Sequence, residues 1–97
     1  MTPLSPPRLR HATRRLGPVP WYHDGCRGLS VRAAEGVPSF DDQMIRGALA
    51  RGAFACSRVA GLDRALNREL WSLGYVARLE IDQPDRPSVL VEVATGR

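Results

Sequence analysis

The fold is decided by residues 57–93, which read SRVAGLDRALNRELWSLGYVARLEIDQPDRPSVLVEV. In the first half of this stretch, from Ser57 to Leu73, leucines recur at helical spacing and fall within about 80° of one another on a wheel of about 100° per residue. This apolar stripe consists of Leu62, Leu66, Leu70 and Leu73. The opposite side of the same wheel, within about 100°, holds Arg64, Asn67, Arg68 and Trp71. The pattern predicts a helix that has a core stripe and an arginine-bearing face.

After Gly74 the apolar period changes from helical spacing to two, which is typical of strands. One strand face holds Tyr75, Ala77, Leu79 and Ile81, and the next holds Val89, Val91 and Val93. The connection at residues 82–87 contains two prolines, so it is too long and too constrained for a two-residue turn. We therefore expect a β-hairpin with a projecting loop.

Upstream of this stretch the sequence predicts another helix, from about Phe40 to Arg51. Ser39 offers an N-cap hydroxyl, aspartates fill the first turn, and Gly52 suits a C-terminal stop. The alternation in residues 28–33 indicates a short half-buried strand. The expected fold class is α+β, a small single domain in which two to three helices are followed by a β-hairpin.

Residues 1–20 contain five of the eight prolines and are predicted to form an extended basic arm, outside a single domain at 21–97. The arm is either a solvated tail or a segment that orders against phosphate or an acidic partner. Its candidate contacts are Arg8, Arg10, Arg14 and Arg15.

The 97-residue chain has a net charge of +4, with 14 arginines and no lysine. The first 23 residues hold four arginines and no acid, and the other 74 hold 10 arginines and 10 acids. The excess charge therefore belongs to the arm, and a nucleic-acid site in the body needs a local arginine face. DNA or an acidic protein surface is the expected partner class.

The two cysteines, Cys26 and Cys56, are expected to be free thiols, because two cysteines without a secretion signal do not make a disulfide framework. His23 and Cys26 have ligand-like spacing, but a second close pair is missing, so we expect no metal and no cofactor. No apolar stretch is long enough to span a membrane, and a cytoplasmic protein is expected.

Enzymatic activity is not expected. Asp85 and Glu92 lie on the hairpin as in metal-dependent nuclease cores, but Ala94 occupies the position of the assisting lysine. The chain also lacks a nucleophile motif and a glycine-rich phosphate loop.

Two helices, an arginine face and a hairpin resemble a winged helix-turn-helix DNA-binding module of the multiple-antibiotic-resistance regulator type. The similar segments are Leu73–Val76, Arg78, Asp85–Arg86 and Val89–Val91, within residues 40–95. The resemblance implies that Arg64, Asn67 and Arg68 face a DNA groove and that Arg86 contacts DNA from the wing tip.

Two functional hypotheses follow. In the first, the chain is a duplex-DNA-binding module, such as a small transcriptional regulator, which reads bases or phosphates with arginine and asparagine and packs Trp71 on a sugar or splayed base. In the second, it is a small phage or mobile-element protein that inhibits or adapts an acidic protein surface, as an anti-CRISPR-like inhibitor does. A purely structural alternative pairs Arg64 and Arg68 with Asp63, Glu69 or a neighbouring helix and covers Trp71 with the arm or a second subunit. The sequence leaves the oligomeric state open.

Overall fold

The computed structural model describes residues 13–21, 28–38, 42–83 and 86–94. In chain order these form β1 (Thr13–Val19), β2 (Leu29–Ala34), α1 (Asp42–Phe54), α2 (Leu62–Leu70), β3 (Tyr75–Gln83) and β4 (Arg86–Val93). Single 3₁₀ turns at Val59–Gly61 and Trp71–Leu73 flank α2. The predicted helix of residues 57–73 is therefore an α-helix with a 3₁₀ turn at each end.

The four strands form one mixed sheet in the order β1-β2-β4-β3. The two central strands, β2 and β4, run parallel, and Val31 lies beside Val89. The outer pairs, β1 with β2 and β3 with β4, are antiparallel. Because β4 follows β3 by a hairpin but lies beside β2, the C-terminal hairpin supplies half of the sheet.

The hydrophobic core lies between one face of this sheet and the two helices. Alternate strand residues point into it, as the strand period of two requires, and the helices contribute their apolar stripes. The fully buried members include Leu29, Val31, Ile45, Leu49, Leu62, Leu66, Leu70, Val89 and Val91. Trp21 is also buried, and its indole Nε1 donates a hydrogen bond of 2.8 Å to the Cys56 carbonyl oxygen just after α1.

The winged-helix arrangement predicted from the sequence is wrong. Two strands precede the helices. The second, β2, confirms the short strand predicted at residues 28–33, but β1 was not predicted, and the expected fold class of helices followed by a hairpin is contradicted. A wing is a hairpin that stands beside a helical body, but here β3 and β4 belong to the four-stranded sheet that the helices cover. The α+β composition was predicted correctly, and the strand order and the role of the hairpin were not.

The extended arm predicted for residues 1–20 is also wrong in its second half, because residues 13–19 form the edge strand β1. Leu16 and Val19 are buried in the core. Pro18 is compatible with this strand because an edge strand needs main-chain donors on one side only. Residues 1–12 lie outside the described part of the chain.

Gly52 is not the helix stop that the sequence indicated, since α1 continues to Phe54. It lies instead where α1 crosses α2. A Cβ atom at this position would lie 3.0 Å from the Ala65 carbonyl oxygen and 3.0 Å from the Leu66 Cα. Only glycine lets the two helix backbones approach this closely.

Candidate nucleic-acid interface

Helix α2 separates an apolar side from a polar side, as its sequence predicts. Leu62, Leu66 and Leu70 are buried, and α2 packs on both α1 and β3. The outward side presents Arg64, Arg68 and Trp71, which are spaced by four and then three residues and therefore share one stripe. We call these three residues the α2 stripe.

The two arginines of the α2 stripe are exposed and form no ion pair with a described residue. The two nearby acids have partners other than the guanidinium groups of the stripe. Glu69 pairs with Arg51 of α1 across 2.9 Å, and Asp63 Oδ1 accepts a hydrogen bond of 2.8 Å from the main-chain N–H of Arg64. The pairing of the stripe with Asp63 or Glu69, considered as a structural alternative, is therefore not observed.

Trp71 lies in the 3₁₀ turn that extends α2, and 53% of the residue is exposed. The turn closes at Gly74, whose φ of 87° is in the left-handed region that favours glycine. This partly exposed indole lies on the same helical stripe as the two arginines. The face of such an indole can stack on a base or a sugar.

Asn67 does not share the exposure of the stripe. Its side-chain Nδ2 donates to the Ala77 carbonyl oxygen at 3.0 Å, and its Oδ1 accepts from the Ala77 N–H at 2.6 Å. The amide thus occupies both main-chain hydrogen-bonding groups of one residue on β3. In this structure Asn67 joins α2 to the sheet, and the base contact that the resemblance implied for it would require both bonds to break.

The remaining predicted contacts lie in other parts of the fold. Arg86 begins β4 and is exposed opposite Gln83, at the end of the β3–β4 hairpin. Arg14 is committed to the fold, since its guanidinium donates to the Val37 carbonyl oxygen at 2.8 Å and to Asp42 Oδ1 at 2.6 Å. Arg15 is exposed and its Nη1 is 3.3 Å from Ser30 Oγ. Arg8 and Arg10 lie outside the described residues.

The sheet face away from the helices carries a row of arginines that sequence analysis did not group together. The strand register places Arg15, Arg32, Leu90 and Arg78 in one row across the sheet. Carboxylates on the same face neutralise two of these arginines, because Arg32 pairs with Glu80 and Arg78 lies 3.4 Å from Glu92. Period-two spacing showed which residues share a strand face, but the row itself depends on strand order, which the sequence did not reveal.

Within the described segments no group of three or more His, Cys, Asp or Glu side chains could hold a metal ion. His23 and Cys26, whose spacing resembled that of metal ligands, lie outside those segments. Neither α1 nor α2 is both long and apolar enough to cross a membrane.

Comparison with known proteins gives no relationship. No protein-family model matches the chain, and neither a curated protein nor a solved structure matches it.

Proposed function

We propose that the protein binds nucleic acid through the α2 stripe. The observation that carries this proposal is the exposure of two arginines, one helical turn apart, that pair with none of the described acids and lie next to an accessible indole. Free guanidinium groups bond phosphate oxygens or guanine edges, and the indole adds a stacking surface. The proposal uses the residues predicted from the sequence but not the winged-helix geometry.

The charge distribution favours the helical layer over the open sheet face. On the open face Glu80 and Glu92 each bind an arginine, which lowers the field that an approaching phosphate would meet. On α2, Glu69 is paired with Arg51 and Asp63 accepts a main-chain hydrogen bond, so Arg64 and Arg68 have no carboxylate partner among the described residues. Arg64 and Arg68 therefore offer a polyanion two exposed cations, one helical turn apart, that no described carboxylate pairs with.

The test is fluorescence anisotropy of a labelled DNA duplex, measured at several salt concentrations with the full chain. We expect affinity to fall steeply with salt, because each phosphate contact releases condensed counterions. The Arg64→Ala/Arg68→Ala variant should lose at least about tenfold in affinity, and its slope of log affinity against log salt should be shallower by about 2.

The matched control is Arg15→Ala/Arg46→Ala, which removes the same formal charge. Both control residues are exposed and form no ion pair with a described residue, but they lie on β1 and α1. The control should retain most of the affinity. Equal losses in the two variants would show a general charge effect and refute the assignment to α2, and a wild-type protein that fails to bind at low salt would refute nucleic-acid binding altogether.

The second hypothesis, an acidic protein partner, predicts a different dependence of binding on salt. A folded acidic protein does not release the condensed counterions of a duplex, so its binding would show a weaker dependence on salt. A competition experiment compares the two functions: unlabelled duplex is added to the complex of this chain with a protein partner, and displacement of the partner shows that both ligands use the same surface.

A further inference from the structure

The outer edge of β3 leaves main-chain groups unpaired. The two hydrogen bonds of Asn67 show that the N–H and C=O of Ala77 point away from β4. In an antiparallel strand this orientation alternates, so the groups of Leu79 and Ile81 also point outward. No described residue bonds these four groups.

The two edges of the sheet differ in their protection. Each outer strand has a register shift, between Arg15 and Gly17 on β1 and between Ile81 and Gln83 on β3, but only β1 carries a proline, Pro18, which has no N–H to offer another strand. On β3, the Asn67 side chain bonds the outward main-chain groups of Ala77 only. Beyond that point Ile81 is 46% exposed, so β3 presents an apolar residue together with its open main chain.

We propose that a second copy of this chain pairs with the outer edge of β3, antiparallel, about a two-fold axis through Glu80. This register places Leu79 opposite Ile81 of the second copy and Ile81 opposite Leu79 of the second copy. Each facing pair exchanges two hydrogen bonds, so all four open groups of both chains are used. The pairing stops where Asn67 occupies the edge, and it covers the exposed Ile81 side chain.

On the opposite face this register sets the two Glu80 residues against one another, a like-charge contact that opposes pairing and that Arg32 of the same chain offsets for each. Arg78 of the second copy lies diagonally across from Glu80, within reach of a long side chain. The Arg78 side chain is 68% exposed and its contact with Glu92 is long, at 3.4 Å, so its guanidinium can reach across the new strand pair. An alternating row of charges then runs from Arg32 and Glu80 of one chain to Arg78 of the second copy.

The inference is tested by sedimentation equilibrium of the full chain over a wide concentration range. The wild type should move from 10.7 kDa towards twice that mass as concentration rises. Ile81→Lys should stay monomeric, because a lysine on a strand edge opposes pairing. The matched control is Val93→Lys, since Val93 is 45% exposed but lies at the other end of the hairpin, and it should dimerise like the wild type.

A cross-linking experiment tests the register without relying on the Ile81 variant. In a background of Cys26→Ser/Cys56→Ser, Glu80→Cys places two thiols directly opposite one another, and mild oxidation should yield a disulfide-linked dimer. Arg78→Cys should not cross-link, because its counterpart lies four residues farther along the paired strand. A wild type that is monomeric throughout, an Ile81→Lys variant that still dimerises, or equal cross-linking at both positions would overturn the proposal.

Discussion

Replacing Asn67 by alanine separates the structural role of this residue from the DNA contact that the sequence suggested. The change removes two hydrogen bonds, of 2.6 and 3.0 Å, and leaves both main-chain groups of the buried Ala77 without their partner. A net hydrogen bond contributes about 1 kcal/mol, and an unsatisfied buried group costs about 1–3 kcal/mol. Alanine recovers roughly 0.5 kcal/mol through its higher helix propensity. We expect a net loss of about 2 kcal/mol in the free energy of unfolding.

The assay is urea unfolding followed by circular dichroism, with DNA affinity measured on the same preparations. For a chain of this size the loss corresponds to a fall in Tm of about 8–16 °C. The control is the neighbouring Arg68→Ala, which should reverse the pattern by weakening DNA binding while leaving stability within about 0.5 kcal/mol of the wild type. If Asn67→Ala is as stable as the wild type but loses DNA affinity, then the amide acts in recognition and the structural assignment is wrong.

Two further predictions concern the packing of the chain. Gly52→Ala should destabilise the fold by about 1–3 kcal/mol, because the added methyl group meets the backbone of α2, whereas Gly47→Ala meets only the flexible end of Arg51 at 3.3 Å and should be neutral or slightly stabilising. Thermal melts of the two variants check this, and equal effects would contradict the close crossing at Gly52. Deletion of residues 1–20 should abolish cooperative unfolding, because it removes β1, the buried Leu16 and the tie between Arg14 and Asp42. A truncated chain that still melts cooperatively near the wild-type Tm would restore the tail interpretation.

The elements with strong periodicity were predictable from the sequence. The leucines of α2 and the alternating residues of β3 and β4 gave the correct type of element, because one face of each is buried and its apolar residues repeat at the matching period. The existence of a buried side and an arginine-bearing side on α2 follows directly from that spacing.

The position of β1 was not predictable by the same reasoning. Prolines and arginines dominate residues 1–20 and suggest an unfolded segment, yet Leu16 and Val19 provide enough apolar side chains for an edge strand. An edge strand needs only one row of main-chain partners, so it tolerates Pro18 where a central strand would not. The sequence feature that could have indicated β1 was the pair of apolar residues Leu16 and Val19, followed by Trp21.

The order of the strands could not be predicted from the sequence either, and this order determines where several of the predicted contact residues lie. Strand period shows which residues share a face but not which strand lies beside which, so the insertion of β4 between β2 and β3 could not be read from spacing. Asn67 illustrates the consequence, because its partner Ala77 lies on an outer strand whose edge was unknown.

The distribution of ion pairs bears on the proposal that a formally neutral body binds a polyanion. Arg14, Arg32, Arg51 and Arg78 each have a carboxylate partner that joins two parts of the fold. These acids are paired with arginines that already serve the structure, and the arginines of the α2 stripe are among those left without a carboxylate partner in the described part of the chain. A net charge summed over the body conceals this separation, because a ligand responds to the local field at close range, where about 10 Å of salt solution screens more distant charges. For the proposed nucleic-acid binding, the relevant quantity is therefore the placement of arginines without a carboxylate partner on α2 and not the formal charge of residues 24–97.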